Sequence, residues 1–180
     1  MKNTDTRVQF SKARFHNAMT ELLERMPCGA VSVKELCDCA GLNRGTFYLH
    51  YADPMDVLRE MEWELAERTV AFIGNREPWQ AERFISLLKE LGTEKRLCAA
   101  VIGRNGDPGF LRDISDKAYE SAHEMLAATL KCSEQEMRAR FNYLFSGCTG
   151  VVSAWLDGNG LSDEETAILL SDLCDSIMHR

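Results

Sequence analysis

The chain has 180 residues, with 21 Lys and Arg against 28 Asp and Glu, for a net charge of −7. That length allows a substantial hydrophobic core in one large or two small domains. Its polar N-terminus has no apolar signal core, and no apolar run approaches the ~18 residues of a membrane span, so secretion and membrane insertion are not expected. Taken whole, the charge argues against a nucleic-acid partner, but it is unevenly spread. Residues 1–52 hold seven Lys and Arg (Lys2, Arg7, Lys12, Arg14, Arg25, Lys34, Arg44) against five acids, a balance of +2, which leaves −9 for the rest. A basic head can approach phosphate while an acidic body is repelled from it.

In chain order, Phe15, Ala18, Met19, Leu22, Leu23 and Met26 recur at helical spacing and predict a first helix, with Pro27 to Val31 as a connector. Ser32-x-x-Glu35 is a capping box, and the helix it opens carries Val33, Leu36, Cys37 and Ala40 on one face. Gly41 tolerates the left-handed conformation of a sharp stop, Leu42 fills the angle, and Asn43 is a good N-cap for the next helix. Over residues 44–51, Phe47 and Tyr51 face inward with Leu42, leaving Arg44, Thr46, Tyr48, Leu49 and His50 for the other faces. A helix start carrying Arg44, Gly45 and Thr46 suits a phosphate. Residues 32–51 therefore predict a helix-turn-helix with a surface for duplex DNA. The same geometry also occurs in bundles that never meet nucleic acid, where Tyr48 and His50 are merely solvated.

Pro54 to about Ile73 predicts one helix with two apolar stripes, Leu58, Met61, Leu65 and Phe72 on one side and Trp63, Ala66, Val70 and Ile73 on another. Such a rod would touch the head with one stripe and the body with the other, and could pass a signal between them. The body reads as helices over Trp79–Leu91, Glu94–Ile102, Gly109–Leu130, Glu134–Leu156 and Asp163–Met178. A loop, Gly103-Arg104-Asn105-Gly106-Asp107-Pro108-Gly109, interrupts them, and Ser133-x-x-Glu136 and Ser162-x-x-Glu165 are further capping boxes. No period-two alternation proposes a sheet.

The last two helices carry a strong apolar stripe, including Phe141, Phe145, Trp155, Leu169, Leu173 and Ile177, beside small residues Gly147 and Gly150 that let another helix approach. That stripe needs a partner, either a second helix pair that approaches it or a purely intrachain core. Trp63, Trp79, Phe84, Phe110, Tyr119, Met125, Met137 and Tyr143 offer an apolar lining with polar tips for a small-molecule effector, although such residues also build ordinary cores.

Catalysis has no support: there is no nucleophile elbow, phosphate loop, dinucleotide fingerprint or paired-histidine zinc motif, so no cofactor and no metal is expected. His16, His123 and His179 are isolated. Seven cysteines with no Cys-x-x-Cys pair fit neither a disulfide framework nor a zinc site and suggest a reducing cytoplasm. Redox sensing by Cys98, Cys132, Cys148 or Cys174 stands against the commoner reading of free cysteine as a small buried hydrophobe.

At Ser32-Val33-Lys34-Glu35-Leu36, Ala40-Gly41-Leu42-Asn43-Arg44-Gly45-Thr46-Phe47-Tyr48 and His50-Tyr51, the chain resembles the TetR family of one-component regulators. The likeness extends upstream through Ala18, Glu21-Leu22-Leu23 and Pro27, and downstream through Asp53, Asp56 and Leu58. It implies that Ser32, Arg44, Gly45, Thr46, Tyr48 and His50 hold the phosphate backbone, with Leu49 and Arg44 reaching base edges. It also implies that the last two helices pair across a twofold axis, which makes the stripe of Phe141, Phe145, Gly147, Gly150, Trp155, Leu169, Leu173 and Ile177 a homodimer interface. One departure stands out. Family members usually carry Lys directly after the position of Asp53, as a phosphate clamp, whereas this chain has Pro54, so Lys12, Arg14 or Lys34 would have to compensate. The loop at Asn105 and the ending Gly147, Trp155, Leu156, Gly158 look like the Firmicutes-type branch of the family.

The expectation is thus an all-α protein: a three-helix DNA-binding head over 1–52, then a helical ligand-binding and dimerisation domain over 53–180. Its expected role is that of a cytoplasmic homodimeric repressor released from double-stranded operator DNA by a small molecule. The alternative is a TetR-like interaction or ligand-binding module whose DNA binding is weak or lost.

Overall fold

The computed structural model of the chain describes residues 2–74, 79–158 and 160–178. His179 lies outside them. Among the described residues all regular structure is helical: α1 (Lys2–Leu23), α2 (Val33–Ala40), α3 (Arg44–Tyr48), α4 (Pro54–Ile73), α5 (Ala81–Thr93), α6 (Lys95–Ile102), α7 (Phe110–Thr129), α8 (Glu134–Leu156) and α9 (Asp163–Met178), with one 3-10 turn at Cys28–Ala30. No helix among them is long and apolar enough to cross a membrane. No group of three or more His, Cys, Asp and Glu among them is placed to hold a metal ion.

Helices α2, α4, α8 and α9 start at side-chain caps. At α2 the Ser32 hydroxyl accepts from the Glu35 amide while Glu35 Oε2 accepts from the Ser32 amide at 3.0 Å, which satisfies two otherwise orphaned donors. Ser162 and Glu165 make the same reciprocal pair before α9. Ser133 caps α8 through the Glu136 amide, but the Glu136 carboxylate is engaged with Arg140 instead of returning to Ser133. Asp53 accepts from the Asp56 amide and Asp56 accepts from the Asp53 amide, with Pro54 as the first helical residue of α4. Pro is well placed there because its missing N–H would have had no helical partner.

The structure divides into two compact units, Met1–Leu65 with Ala100–Pro108, and Ala66–Ala99 with Gly109–Arg180. The first unit is built around α1, whose Phe15, Ala18, Met19, Leu22 and Leu23 are buried together with Leu36, Cys37, Ala40, Phe47, Tyr51, Leu58 and Met61. Three aromatic rings fasten the end of the helix-turn-helix to α1. Phe15 meets Phe47 edge-on at 5.4 Å and Tyr51 edge-on at 6.0 Å, while Phe47 and Tyr51 lie 5.8 Å apart. Lys12 Nζ of α1 bonds Glu60 of α4 at 2.8 and 3.1 Å, and the Tyr51 hydroxyl, just before α4, lies 3.5 Å from His16 Nε2. Burial pushes the Glu60 carboxyl up, but hydrogen bonds from Lys12 and Tyr51 outweigh it and hold Glu60 below the usual carboxylate range.

A segment distant in sequence completes this unit. Asn105 Nδ2 donates to the Leu23 carbonyl at 2.7 Å, near the end of α1, and the Asn105 carbonyl accepts from the Cys28 amide at 2.8 Å. Gly106 follows because a Cβ there would run into the Val101 carbonyl oxygen.

In the second unit α9 packs against α5 and α8, and α7 packs against α8. Buried Phe84, Leu88, Ile114, Ala118, Leu126, Met137, Leu144 and Leu170 fill it. The second half of α4 is tied to α5 through Arg83 on the Phe72 carbonyl at 2.9 Å, and Arg68 pairs with Glu94 at 2.7 Å beyond the end of α5. The two expected stripes of α4 are only partly realised. Leu58, Met61, Leu65, Ala66 and Ile73 are buried, but Trp63 is 58 % exposed and the neighbouring Glu62 is buried.

Candidate nucleic-acid interface

The turn between α2 and α3 sets the direction of the second helix. Gly41 adopts φ 64°, ψ 34°. Its amide donates to Asp38 O, and the Leu42 amide donates back to Cys37 O at 3.1 Å. This two-bond ending consumes carbonyls that the helix leaves unpaired. Arg14 from α1 adds a third bond, its Nε donating to the Ala40 carbonyl at 2.6 Å. Asn43 Oδ1 then caps α3 by accepting from the Thr46 amide at 2.8 Å and from the Thr46 hydroxyl at 3.2 Å.

The α-helix of α3 ends at Tyr48, three residues before the expected end at 51. The Phe47 carbonyl accepts from both His50 and Tyr51, so a tightened final turn carries the chain to Tyr51 without another regular α-helical residue. Phe47 is wholly buried and Tyr51 nearly so, while Arg44, Gly45, Tyr48 and Leu49 are exposed, the last two by 60 % and 79 %. Thr46 and His50 are half-buried. Ser32 and Lys34, at the start of α2, are exposed.

Two of these residues are already engaged, Thr46 with Asn43 and Ser32 with Glu35. The Ser32 hydroxyl donates to Glu35 Oε2 at 2.6 Å, so a phosphate could take its proton only by opening the capping box. Those bonds from the Ser32 hydroxyl and amide hold Glu35 below the usual carboxylate range, which keeps an anion beside the site. Of the three cations expected to replace the missing clamp, Lys12 is half-buried and bound to Glu60, Arg14 is exposed with its Nε on the Ala40 carbonyl, and Lys34 is exposed. At the start of α4, amides of Ala52 and Asp53 hold Asp56 below its usual range, so this corner carries acids in place of a lysine.

The eight expected effector residues differ in burial. Phe84, Phe110, Tyr119 and Met137 are core residues, and Trp79 and Met125 are half-buried. Trp63 and Tyr143, the latter 68 % exposed, are not enclosed in the single chain. Tyr119 is the best anchored: its hydroxyl donates to Glu134 Oε1 at 2.6 Å, and its ring lies 5.3 Å from Phe141. An open cleft in the same unit is lined instead by Lys89, Gly92, Lys95, Trp155, Leu161 and Asp163, and takes in none of the eight. There Lys95 sits 5.0 Å over the Trp155 ring, and the indole donates to Asp163 at 3.1 Å. Spacing and apolarity alone did not mark this cleft, because its walls come from the α5 to α6 junction and the α8 to α9 loop.

The expected dimer stripe separates into two sets. Phe141 and Trp155 are buried within the chain, and Phe145 and Ile177 are half-buried. Gly147, Gly150, Leu169 and Leu173 are exposed, as are Tyr143 and Ile168, and a Cβ added at either glycine would meet nothing within 4 Å.

No family model and no curated protein matches the sequence. Solved structures do resemble it. A TetR transcriptional regulator from Streptococcus agalactiae superposes with a TM-score of 0.67 at 20% identity, covering 96% of this chain and 98% of its own. A TetR-family transcriptional regulator from Syntrophomonas wolfei gives 0.68 at 13% identity, over 94% and 95%. A TetR transcriptional regulator from a Rhodococcus species gives 0.56 at 15% identity, over 94% and 96%. The chain therefore has the all-α fold of TetR-type regulators along nearly its whole length.

Proposed function

We propose that the protein is a TetR-like transcriptional regulator that binds double-stranded operator DNA through α3 and the start of α2. The observation that carries this reading is the two-sided character of α3. Phe47 and Tyr51 bury one side against Phe15, while Arg44, Tyr48 and Leu49 project from the other. Arg44 supplies a planar donor for a guanine edge or a phosphate, Tyr48 a phenol for the backbone, and Leu49 an apolar contact for a thymine methyl. Lys34 adds charge beside them.

The finer parts of the reading are proposals of the same kind. The protein works as a cytoplasmic homodimer, its copies joining through the exposed faces of α8 and α9, so that two heads meet successive half-sites. The open Cβ positions of Gly147 and Gly150 and the exposure of Leu169 and Leu173 support that pairing. It acts as a repressor, released when a small molecule binds the DNA-incompetent arrangement more tightly than the competent one.

A mobility-shift assay with the DNA flanking its own gene, run at two salt concentrations, tests the central claim. Binding should fall steeply with salt, since each neutralised phosphate contributes to the slope. Arg44→Ala should weaken binding by about 1–3 kcal/mol if the side chain reads a base, with relaxed preference at one position. Tyr48→Phe should lower affinity alike on all sequences. Absence of any shift at low salt would overturn the reading and favour an interaction module, in keeping with the acidic corner at Asp53 and Asp56.

A further inference from the structure

Cys148 on α8 and Cys174 on α9 face each other with their Sγ atoms 3.6 Å apart. Both are set in the packed seam between those helices. Cys148 continues the inward stripe of Met137, Phe141 and Leu144 toward Trp155, and Cys174 lies between Leu170 and Met178 at four-residue steps. Helix packing on both sides therefore holds the pair, and no loop has to move to bring the sulfurs together. All seven cysteines are thiols in this structure.

The two members are not equivalent. Cys148 is partly exposed, whereas Cys174 is completely buried. The hydrogen bond from Cys174 draws the Cys148 thiol below its ordinary range, and sharing that proton pushes Cys174 far above it. Elsewhere burial raises the thiols of Cys28, Cys37 and Cys39, and that of Cys98 to about 11. Thiolate is the nucleophilic form, so among these six thiols reactivity is greatest at Cys148.

We propose that Cys148 and Cys174 form a dithiol site that reacts with hydroperoxides and closes to an intrachain disulfide. The Cys148 thiolate attacks one peroxide oxygen; an S–O bond forms, the O–O bond breaks, and the leaving hydroxide or alkoxide takes up the proton released by Cys148. Cys174 then attacks the Cys148 sulfenic sulfur; the S–S bond forms, the S–O bond breaks, and the hydroxyl leaves as water with the Cys174 proton. Two thiols are oxidised by two electrons and one hydroperoxide is reduced to water and an alcohol, or to two waters. Closing the gap to a disulfide's ~2.05 Å asks for an approach of about 1.5 Å, which side-chain rotation and a slight helix shift supply. The bond would staple α9 to α8 and fix the strip that carries Ile168, Leu169 and Leu173. None of this depends on DNA binding.

Trypsin cuts after Arg140 and leaves residues 141–180, a peptide that holds Cys148 and Cys174 and no other cysteine. The purified full-length protein is treated with hydrogen peroxide, denatured, labelled with N-ethylmaleimide and digested. This peptide should then carry no label, weigh two hydrogens less than the dithiol form, and regain two labels after dithiothreitol. Cys28, Cys37 and Cys98 should still be labelled. A doubly labelled peptide, a sulfinic acid at Cys148, or a link to a second chain on a non-reducing gel would overturn the proposal. In Cys174→Ser, Cys148 should stop at the sulfenic acid and be trapped by dimedone. Oxidation of Cys174 at the same dose in Cys148→Ser would refute the assignment of the nucleophile.

Discussion

Replacing Gly41 by Ala probes the corner on which the helix-turn-helix is built. At φ 64° the backbone lies in the left-handed region, where a residue with a Cβ costs about 1–2 kcal/mol. The new Cβ would also stand 2.7 Å from Nη2 of Arg14. Arg14 has a flexible side chain and can swing aside, but its bond to the Ala40 carbonyl is lost with the movement, at about 1 kcal/mol. The sum, about 2–3 kcal/mol, is a large part of the ~5–15 kcal/mol by which a domain is stable. Urea unfolding followed by far-ultraviolet circular dichroism measures it. Repeating the substitution in an Arg14→Ala background separates the two causes, because only the backbone share should remain and the coupling should be about 1 kcal/mol. Equal costs in both backgrounds would refute the steric part. A loss under about 0.5 kcal/mol in the wild-type background, the scatter of ordinary surface substitutions, would refute both.

Phe47→Ala empties a fully buried site beside Phe15 and Tyr51 and should cost about 3–5 kcal/mol; a thermal midpoint equal to wild type would contradict the packing described. Asn105→Ala removes the donor to the Leu23 carbonyl and should cost about 1–3 kcal/mol. Asn105→Asp should cost more, because it sets an anion against that carbonyl, and the reverse order in urea midpoints would show that the hydrogen bond is not the cause. Stability should also fall in acid. Hydrogen bonds from Ser32 and from Ser162 hold Glu35 and Glu165 below the usual carboxylate range, as amide bonds from Ala52 and Asp53 hold Asp56. Their contribution is complete above the unfolded values, near pH 4, and is lost as pH falls through the lowered folded ones. Urea midpoints taken through that range should drop, and Glu35→Gln with Glu165→Gln should flatten the drop; an unchanged slope would dissociate the caps from acid sensitivity.

Local chemistry was readable in the sequence because its causes are local. Ser32, Asn43, Ser133 and Ser162 each cap the helix expected of them, and α8 and α9 run between the residues inferred from caps and periodicity. The inward turn of Phe47 and Tyr51 follows from their four-residue spacing, and the exposure of Arg44, Tyr48 and Leu49 follows with it. What escaped notice depends on partners far along the chain. Nothing in the neighbourhood of Lys12 or Arg14 says that Glu60 and the Ala40 carbonyl will occupy them. Nor does hydrophobicity foretell that Glu62 is buried and Trp63 exposed on adjacent positions of one helix. The expected effector residues meet a similar ambiguity: aromatic and methionine side chains satisfy core packing as readily as a ligand, and Phe84, Phe110 and Met137 are buried.

The contribution of Asn105 to the first unit bears on how the protein is made. The acceptor at Leu23 and the amide of Cys28 find their partner some eighty residues downstream, a loop closure that a fragment ending at Leu65 has no means to perform. On the ribosome, the head must wait for the segment 100–108 to emerge before its last two hydrogen bonds can form. Excised alone for binding studies, it would carry a loosened α1 end, and a faithful minimal version would need that stretch grafted back through a short linker.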